Sequence, residues 1–164
     1  MKIVISPYSR SLRSGKRNAK NYPHWEELVE LIKEKDHEVI QIGTKEEIPI
    51  SSTDDFLIGL PLKEIAELIS NCDLWISVDN FLPHFCNFKK IETQGIVIFS
   101  KSNPDIFGYP QNKNVFKSRR CFRKEQFAIW EEQEYDPDAF IAPHYVMQVI
   151  DSLECKIFQN TESL

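Results

Sequence analysis

Residues 73–79 read Asp73-Leu74-Trp75-Ile76-Ser77-Val78-Asp79. A short, almost continuous apolar run closed by an acid describes a strand buried on both faces, and such strands belong to parallel sheets. Working outward, Lys2 to Ser6, Glu38 to Ile42 and Gly95 to Phe99 repeat the pattern, and Asn114 to Phe116 is a shorter fifth case. The segments between them carry helical periodicity. Trp25, Leu28, Val29 and Ile32 share one face, as do Leu62, Ile65, Ala66 and Ile69, and as do Val146, Val149, Ile150 and Leu153. Pro23, Pro61 and Pro143 sit where these helices open, a position that tolerates the missing N–H. A short helix is expected from Leu82-Pro83 to about Phe88. Thr44 to Asp55 reads as loop, and residues 118–141 mix charge and aromatics without a period.

Alternating strand and helix predicts an α/β fold: one Rossmann-like domain with a parallel sheet and helices on both faces. The expected domain spans residues 1–158, followed by a polar, flexible tail at 159–164. Hydrophobic residues make up 41% and charged residues 27% of the 164, which excludes a disordered chain. No apolar run approaches the length of a membrane span. Met1-Lys2-Ile3-Val4-Ile5 enters a strand at once, without the features of a signal peptide, so a cytoplasmic location is expected.

The net charge of −5 disfavours nucleic acid as a partner. The basic residues nevertheless cluster, at Arg10 to Lys20 and again at Lys113 to Lys124. A basic loop on an acidic protein points to a small anionic ligand. The cysteines Cys72, Cys86, Cys121 and Cys155 form no C-x-x-C pair, so neither a metal nor a redox site is expected. Walker A, G-x-G-x-x-G, G-x-S-x-G and H-E-x-x-H motifs are all absent.

In parallel sheets ligands bind at the carboxyl ends of the strands. Four loops there carry the candidate residues. After the first strand come Ser9, Arg10 and Lys20, hydroxyl and cations suited to phosphate. After the second, Glu46 and Glu47 suit a ribose hydroxyl. After the third, Asp79, Asn80 and His84 surround a helix start; either an acid or amide caps the helix, or the helix N-terminus also receives an anion. After the fourth come Ser100 and Lys101, with Ser102 beyond.

These segments resemble the C-terminal, nucleotide-sugar-binding half of the ADP-heptose:lipopolysaccharide heptosyltransferase family, glycosyltransferase family 9. Lys2-Ile3-Val4-Ile5-Ser6-Pro7 and Lys20-Asn21-Tyr22-Pro23 resemble its first strand, phosphate loop and K-x-W-P segment. Gly59 to Ile69 resembles its G-x-x-x-L-x-E-x-A-x-L-I helix, and Asp79 to His84 its D-S-G-P-x-H loop. The family's Ser-Gly pair is replaced by Asn80-Phe81, which removes the close backbone approach glycine allows. Tyr22 replaces a tryptophan.

The resemblance implies one half of a GT-B fold and transfer of a sugar from an ADP- or UDP-linked donor without a metal or other cofactor. Ser9, Arg10, Lys20 and His84 would hold the diphosphate, Glu46 the ribose, and Asp79 the loop or the sugar. The family's second half, which carries the acceptor site, would come from a partner chain or a second copy. Two other readings stand beside this one: a non-catalytic nucleotide-binding module, and sugar transfer onto modified DNA. Replacing Lys20 is expected to weaken binding and leave folding unchanged.

Overall fold

The computed structural model describes residues 1–161. Six strands form one parallel sheet: β1 (Lys2–Ser6), β2 (Glu38–Gly43), β3 (Asp55–Ile58), β4 (Leu74–Val78), β5 (Gly95–Phe99) and β6 (Lys113–Phe116). Their spatial order is β3-β2-β1-β4-β5-β6. The chain therefore builds the sheet outward from β1 in one direction, then returns to β1 and builds the other way. The helices are α1 (Trp25–Lys33), α2 (Leu62–Ser70), α3 (Phe81–Lys89), α4 (Pro104–Phe107) and α5 (Pro143–Thr161).

The two-residue alternation of the strands divides the core between two faces. Ile3, Ile5, Leu74 and Ile76 pack with Leu28 and Ile32 of α1 and with Val146 and Ile150 of α5. Val4, Trp75 and Val97 face the other way, against Ile65 and Ile69 of α2 and Leu82 and Cys86 of α3. The central strands β4 and β5 are buried along their whole length, which is why they read as unbroken apolar runs.

The strand β3 departs from the sequence expectation, which reads Asp55 as the end of a loop and places no element at residues 56–58. It is four residues long, at the sheet edge, and no more than half-buried in its middle, so neither length nor alternation marks it. What fixes it is the polar residue before it. The Asp54 carboxylate accepts a hydrogen bond from the Val39 N–H at 2.7 Å and pairs with Lys33 of α1. Residues 118–141 hold only three short 3-10 turns, at Arg119–Cys121, Trp130–Glu132 and Pro137–Ala139. Helix α5 continues past residue 158 to Thr161, and 162–164, the rest of the expected tail, lie outside the described residues.

Trp75 explains the glycine that opens β5. The two residues are register partners on adjacent strands, and a Cβ on Gly95 would fall inside the indole of Trp75. The indole is itself fixed, fully buried and donating from Nε1 to the Thr93 carbonyl at 3.0 Å. Gly95→Ala is expected to destabilise the fold by about 2 kcal/mol, the usual scale for overpacking a rigid core. Urea denaturation measures it, and an unchanged midpoint would show that the indole yields.

Candidate functional site

Because successive connections leave β1 and β4 in opposite directions, the loops after these neighbouring strands part and open a crevice. The loop after β1 is held in several places. Trp25 Nε1 donates to the Pro7 carbonyl at 3.0 Å. Asn80 Nδ2 donates to the carbonyls of Ser6 and Tyr8, at 3.0 and 3.1 Å. Asn18 Nδ2 donates to the Arg10 carbonyl at 2.9 Å, and the Asn18 Oδ1 accepts from the Lys20 N–H at 3.0 Å. Behind them the Ser100 hydroxyl donates to the Ala19 carbonyl at 2.9 Å. Tyr22, buried among His24, Trp25 and Phe140, donates to the Ile141 carbonyl at 2.9 Å and closes the loop's far end.

This bracing delivers Lys20 to the end of β4. Its Nζ lies 2.9 Å from Asp79 Oδ2. The Ser102 hydroxyl donates to the same oxygen at 2.6 Å, and His84 Nε2 lies 3.8 Å from Oδ1. The Ser9 hydroxyl donates to the Asp79 carbonyl at 3.0 Å. Asp79 is only 4% exposed. Burial pushes its pKa up, but the contacts with His84, Lys20 and Ser102 together outweigh burial and hold the carboxyl below the usual aspartate range. His84 Nδ1 is hydrogen-bonded to the Tyr109 hydroxyl at 2.8 Å, which sets the ring plane.

A cavity of about 1250 Å³ opens at this edge of the sheet. Seven of the nine expected residues line it: Ser9, Arg10, Lys20, Glu46, Asp79, Asn80 and His84. Ser100 and Lys101 do not. Ser100 is buried behind the loop it braces, and Lys101 Nζ turns away to the Glu134 carbonyl at 2.5 Å. Of that loop's hydroxyls it is Ser102, two residues on, that reaches Asp79.

The geometry distinguishes between alternatives in two places. Glu46 is exposed at the rim, whereas Glu47 is half-buried and folded back over Gly43 at the end of β2. Burial raises the Glu47 pKa, partly offset by hydrogen bonds from Thr44. The N-terminus of α3 is also poorer in free N–H groups than an anion site needs. Asn80 caps the helix, its Oδ1 accepting from the Leu82 N–H at 2.9 Å, and Pro83 has no N–H to offer. Any anion here must be met mainly by side chains.

Sequence reading did not single out Trp130. It lies between two cations, with Lys20 Nζ 4.6 Å and Arg123 Cζ 3.9 Å from its ring centroid. No local period marks it, because it belongs to an irregular segment more than a hundred residues from Lys20. The second basic stretch is largely engaged elsewhere: Arg119 pairs with Asp105 at 2.6 Å, Lys117 donates to the Asp138 carbonyl at 2.7 Å, and Arg123 turns inward to the Ala128 carbonyl at 2.7 Å. Among the described residues no three of His, Cys, Asp and Glu gather as metal ligands, and no helix is long and apolar enough to cross a membrane.

The Asp79 cluster couples stability to pH. The unfolded chain takes up this proton more readily than the folded one, so the cluster stabilises fully above the ordinary aspartate pKa of about 3.9 and loses that contribution as pH falls through the lower folded value. At pH 7 Asp79→Asn is expected to cost about 3 kcal/mol, by leaving Lys20 without its partner. The gap between the two proteins should hold down to about pH 5 and narrow below about pH 4. Urea denaturation across that range checks both; a pH-independent gap would mean that the carboxyl is not depressed.

No protein-family model matches the sequence, and no curated protein matches it. Solved structures do. ADP-heptose lipopolysaccharide heptosyltransferase II of E. coli superposes with a TM-score of 0.67 at 15% identity, over 98% of this chain and 47% of that one. The dodecameric iron-containing heptosyltransferase TibC, in complex with ADP-D-beta-D-heptose, gives 0.70 at 19%, over 95% and 45%. E. coli heptosyltransferase WaaC with ADP gives 0.62 at 15%, over 93% and 44%. The chain thus spans less than half the length of these proteins, and it has the α/β, Rossmann-like fold of about one half of a heptosyltransferase.

Proposed function

We propose that this chain is the nucleotide-sugar-binding domain of a heptosyltransferase-like glycosyltransferase. The observation that carries the reading is the meeting of Lys20 and His84 on Asp79 at the point where the sheet reverses direction, with Arg10 on the same rim. That rim takes the diphosphate through Lys20, Arg10, Ser9 and His84. Their charges and hydroxyls serve the leaving diphosphate without a metal. The ribose lies toward the end of β2, where Glu47, with Glu46 beside it, accepts from its hydroxyls. Apolar Ile42, Leu57, Leu60 and Ile65 line the same cavity and suit a base. That TibC and WaaC are solved with ADP-D-beta-D-heptose and with ADP supports an adenine diphosphate donor.

Lys20 has two tasks in this scheme. Without ligand it neutralises the buried Asp79; with ligand it is shared between Asp79 and a phosphate. Replacing it therefore perturbs folding as well as binding, contrary to the sequence-based expectation, because a buried carboxylate loses its counter-ion. Catalysis requires the rest of the cleft, since an open half-site cannot exclude water from the reacting centre. The second reading, a module that binds without turnover, is favoured by one observation: Asn80 and Pro83 deplete the donors of α3, where Phe81, 47% exposed, lines the cavity.

Arg10 offers the clean test, being exposed with its side chain in no hydrogen bond or ion pair among the described residues. Calorimetric titration should show ADP or UDP binding with a dissociation constant on the order of micromolar. Arg10→Ala should weaken it about tenfold, the scale of one charge-assisted hydrogen bond, with unchanged unfolding. Absence of heat with both diphosphates would refute the nucleotide reading.

A further inference from the structure

The segment after β6 crosses the same sheet edge and encloses a second, smaller cavity of about 380 Å³. Lys20, Asp79 and Trp130 line both cavities, so the ion pair and the indole form the partition between them. The outer wall is braced. Gln126 Oε1 accepts from the Asn103 N–H at 2.8 Å, and its Nε2 donates to the Lys101 carbonyl at 3.3 Å. Arg123 is fixed by the carbonyls of Ala128 and Gln126 and lies 3.9 Å from the Trp130 centroid.

Two side chains of this wall are not accounted for by folding. Phe127 is 82% exposed and touches Phe107 edge-on, with centroids 5.6 Å apart. Glu131 lines the cavity with no hydrogen bond or ion pair among the described residues. An apolar plate facing solvent and an acceptor-only carboxylate are complementary to a pyranose, which presents C–H faces and hydroxyl edges. Lys20 is engaged by Asp79 and Arg123 by two carbonyls, so a second anion would meet the Glu131 carboxylate with no free cation among the lining residues. A purely aromatic ligand would leave the Glu131 carboxylate without a donor. The volume lies near the lower limit of ligand pockets, which suits one sugar ring and not another nucleotide.

We propose that the smaller cavity is the subsite for the sugar of the nucleotide sugar, with Phe127 stacking on the ring and Glu131 accepting from its hydroxyls. The proposal rests on the nucleotide reading above and adds the residues that select the sugar. Its position follows from the partition: a diphosphate held at Lys20 in the large cavity carries its substituent past Asp79 into the small one. Neither Phe127 nor Glu131 lies in one of the sequence motifs that carry the resemblance to the heptosyltransferase family.

Paired titrations separate the two claims. ADP is compared with ADP-glucose, and UDP with UDP-glucose, on the wild type, Phe127→Ala and Glu131→Gln. Both side chains are exposed, so the variants should fold. The wild type should bind one sugar-linked nucleotide about fivefold more tightly than its diphosphate. Each variant should abolish that difference and leave the affinity for the diphosphate unchanged. Equal affinities in the wild type, or variants that retain the preference, would overturn the subsite while leaving the nucleotide site standing. Failure of both diphosphates to bind would overturn both.

Discussion

The architecture of this edge of the protein depends on one buried carboxylate. Asp79 sits where β4 ends, and an ion removed from water at that depth is tolerable only if it is paired and hydrogen-bonded. Lys20, Ser102 and His84 meet that requirement from three separate segments, and the Ser9 hydroxyl takes the Asp79 carbonyl. The loop after β1, the loop after β5 and helix α3 are thereby tied to one atom group. The same requirement makes the site costly to alter, because each partner removed leaves charge behind.

A pairing of this kind also determines what the site can bind. The large cavity is lined by Arg10, Arg17, Lys20 and Lys45 and by Glu26, Glu46, Glu47 and Asp79, so four cations face four carboxylates. Such a cavity has no general attraction for anions. It is divided instead: Arg10, Arg17 and Lys20 come from the loop after β1, whereas the loop after β2 brings Glu46 and Glu47 against the single cation Lys45. A ligand anionic at one end and rich in hydroxyls further along fits that division better than inorganic phosphate or a polyanion. The same division weighs against a nucleic-acid backbone, and so do the internal bonds of Lys117, Arg119 and Arg123.

The fold was legible in the sequence because its central strands are buried on both faces. Leu74 to Val78 and Gly95 to Phe99 admit no water, so their residue types carry the assignment without neighbours. β3 was not legible, since its pairing depends on Asp54 reaching Val39 rather than on its own pattern. In the site, the residues contributed by strand ends and helix starts were readable, for the sheet fixes where they go. Glu47 over Glu46, and Ser102 over Ser100 and Lys101, were not: each choice turns on one or two residues of loop direction that composition does not encode. Trp130 was invisible for a different reason, because nothing near residue 130 announces a partner at residue 20.

The cap on α3 shows how one capping residue redistributes hydrogen bonds along this edge of the sheet. A helix start with free N–H groups holds an anion through its backbone, whatever the surrounding side chains are. Here Asn80 turns its amide on the Ser6 and Tyr8 carbonyls and its carbonyl on the Leu82 N–H, and Pro83 removes the next donor. The backbone contribution passes into fastening the loop after β1. That loop carries Ser9, Arg10 and Lys20, so the side chains left to meet an anion at this edge sit on the loop that Asn80 holds in place. Recognition of an anion at this edge would thus rest on side chains, with a stronger dependence on salt and on single substitutions than backbone recognition has.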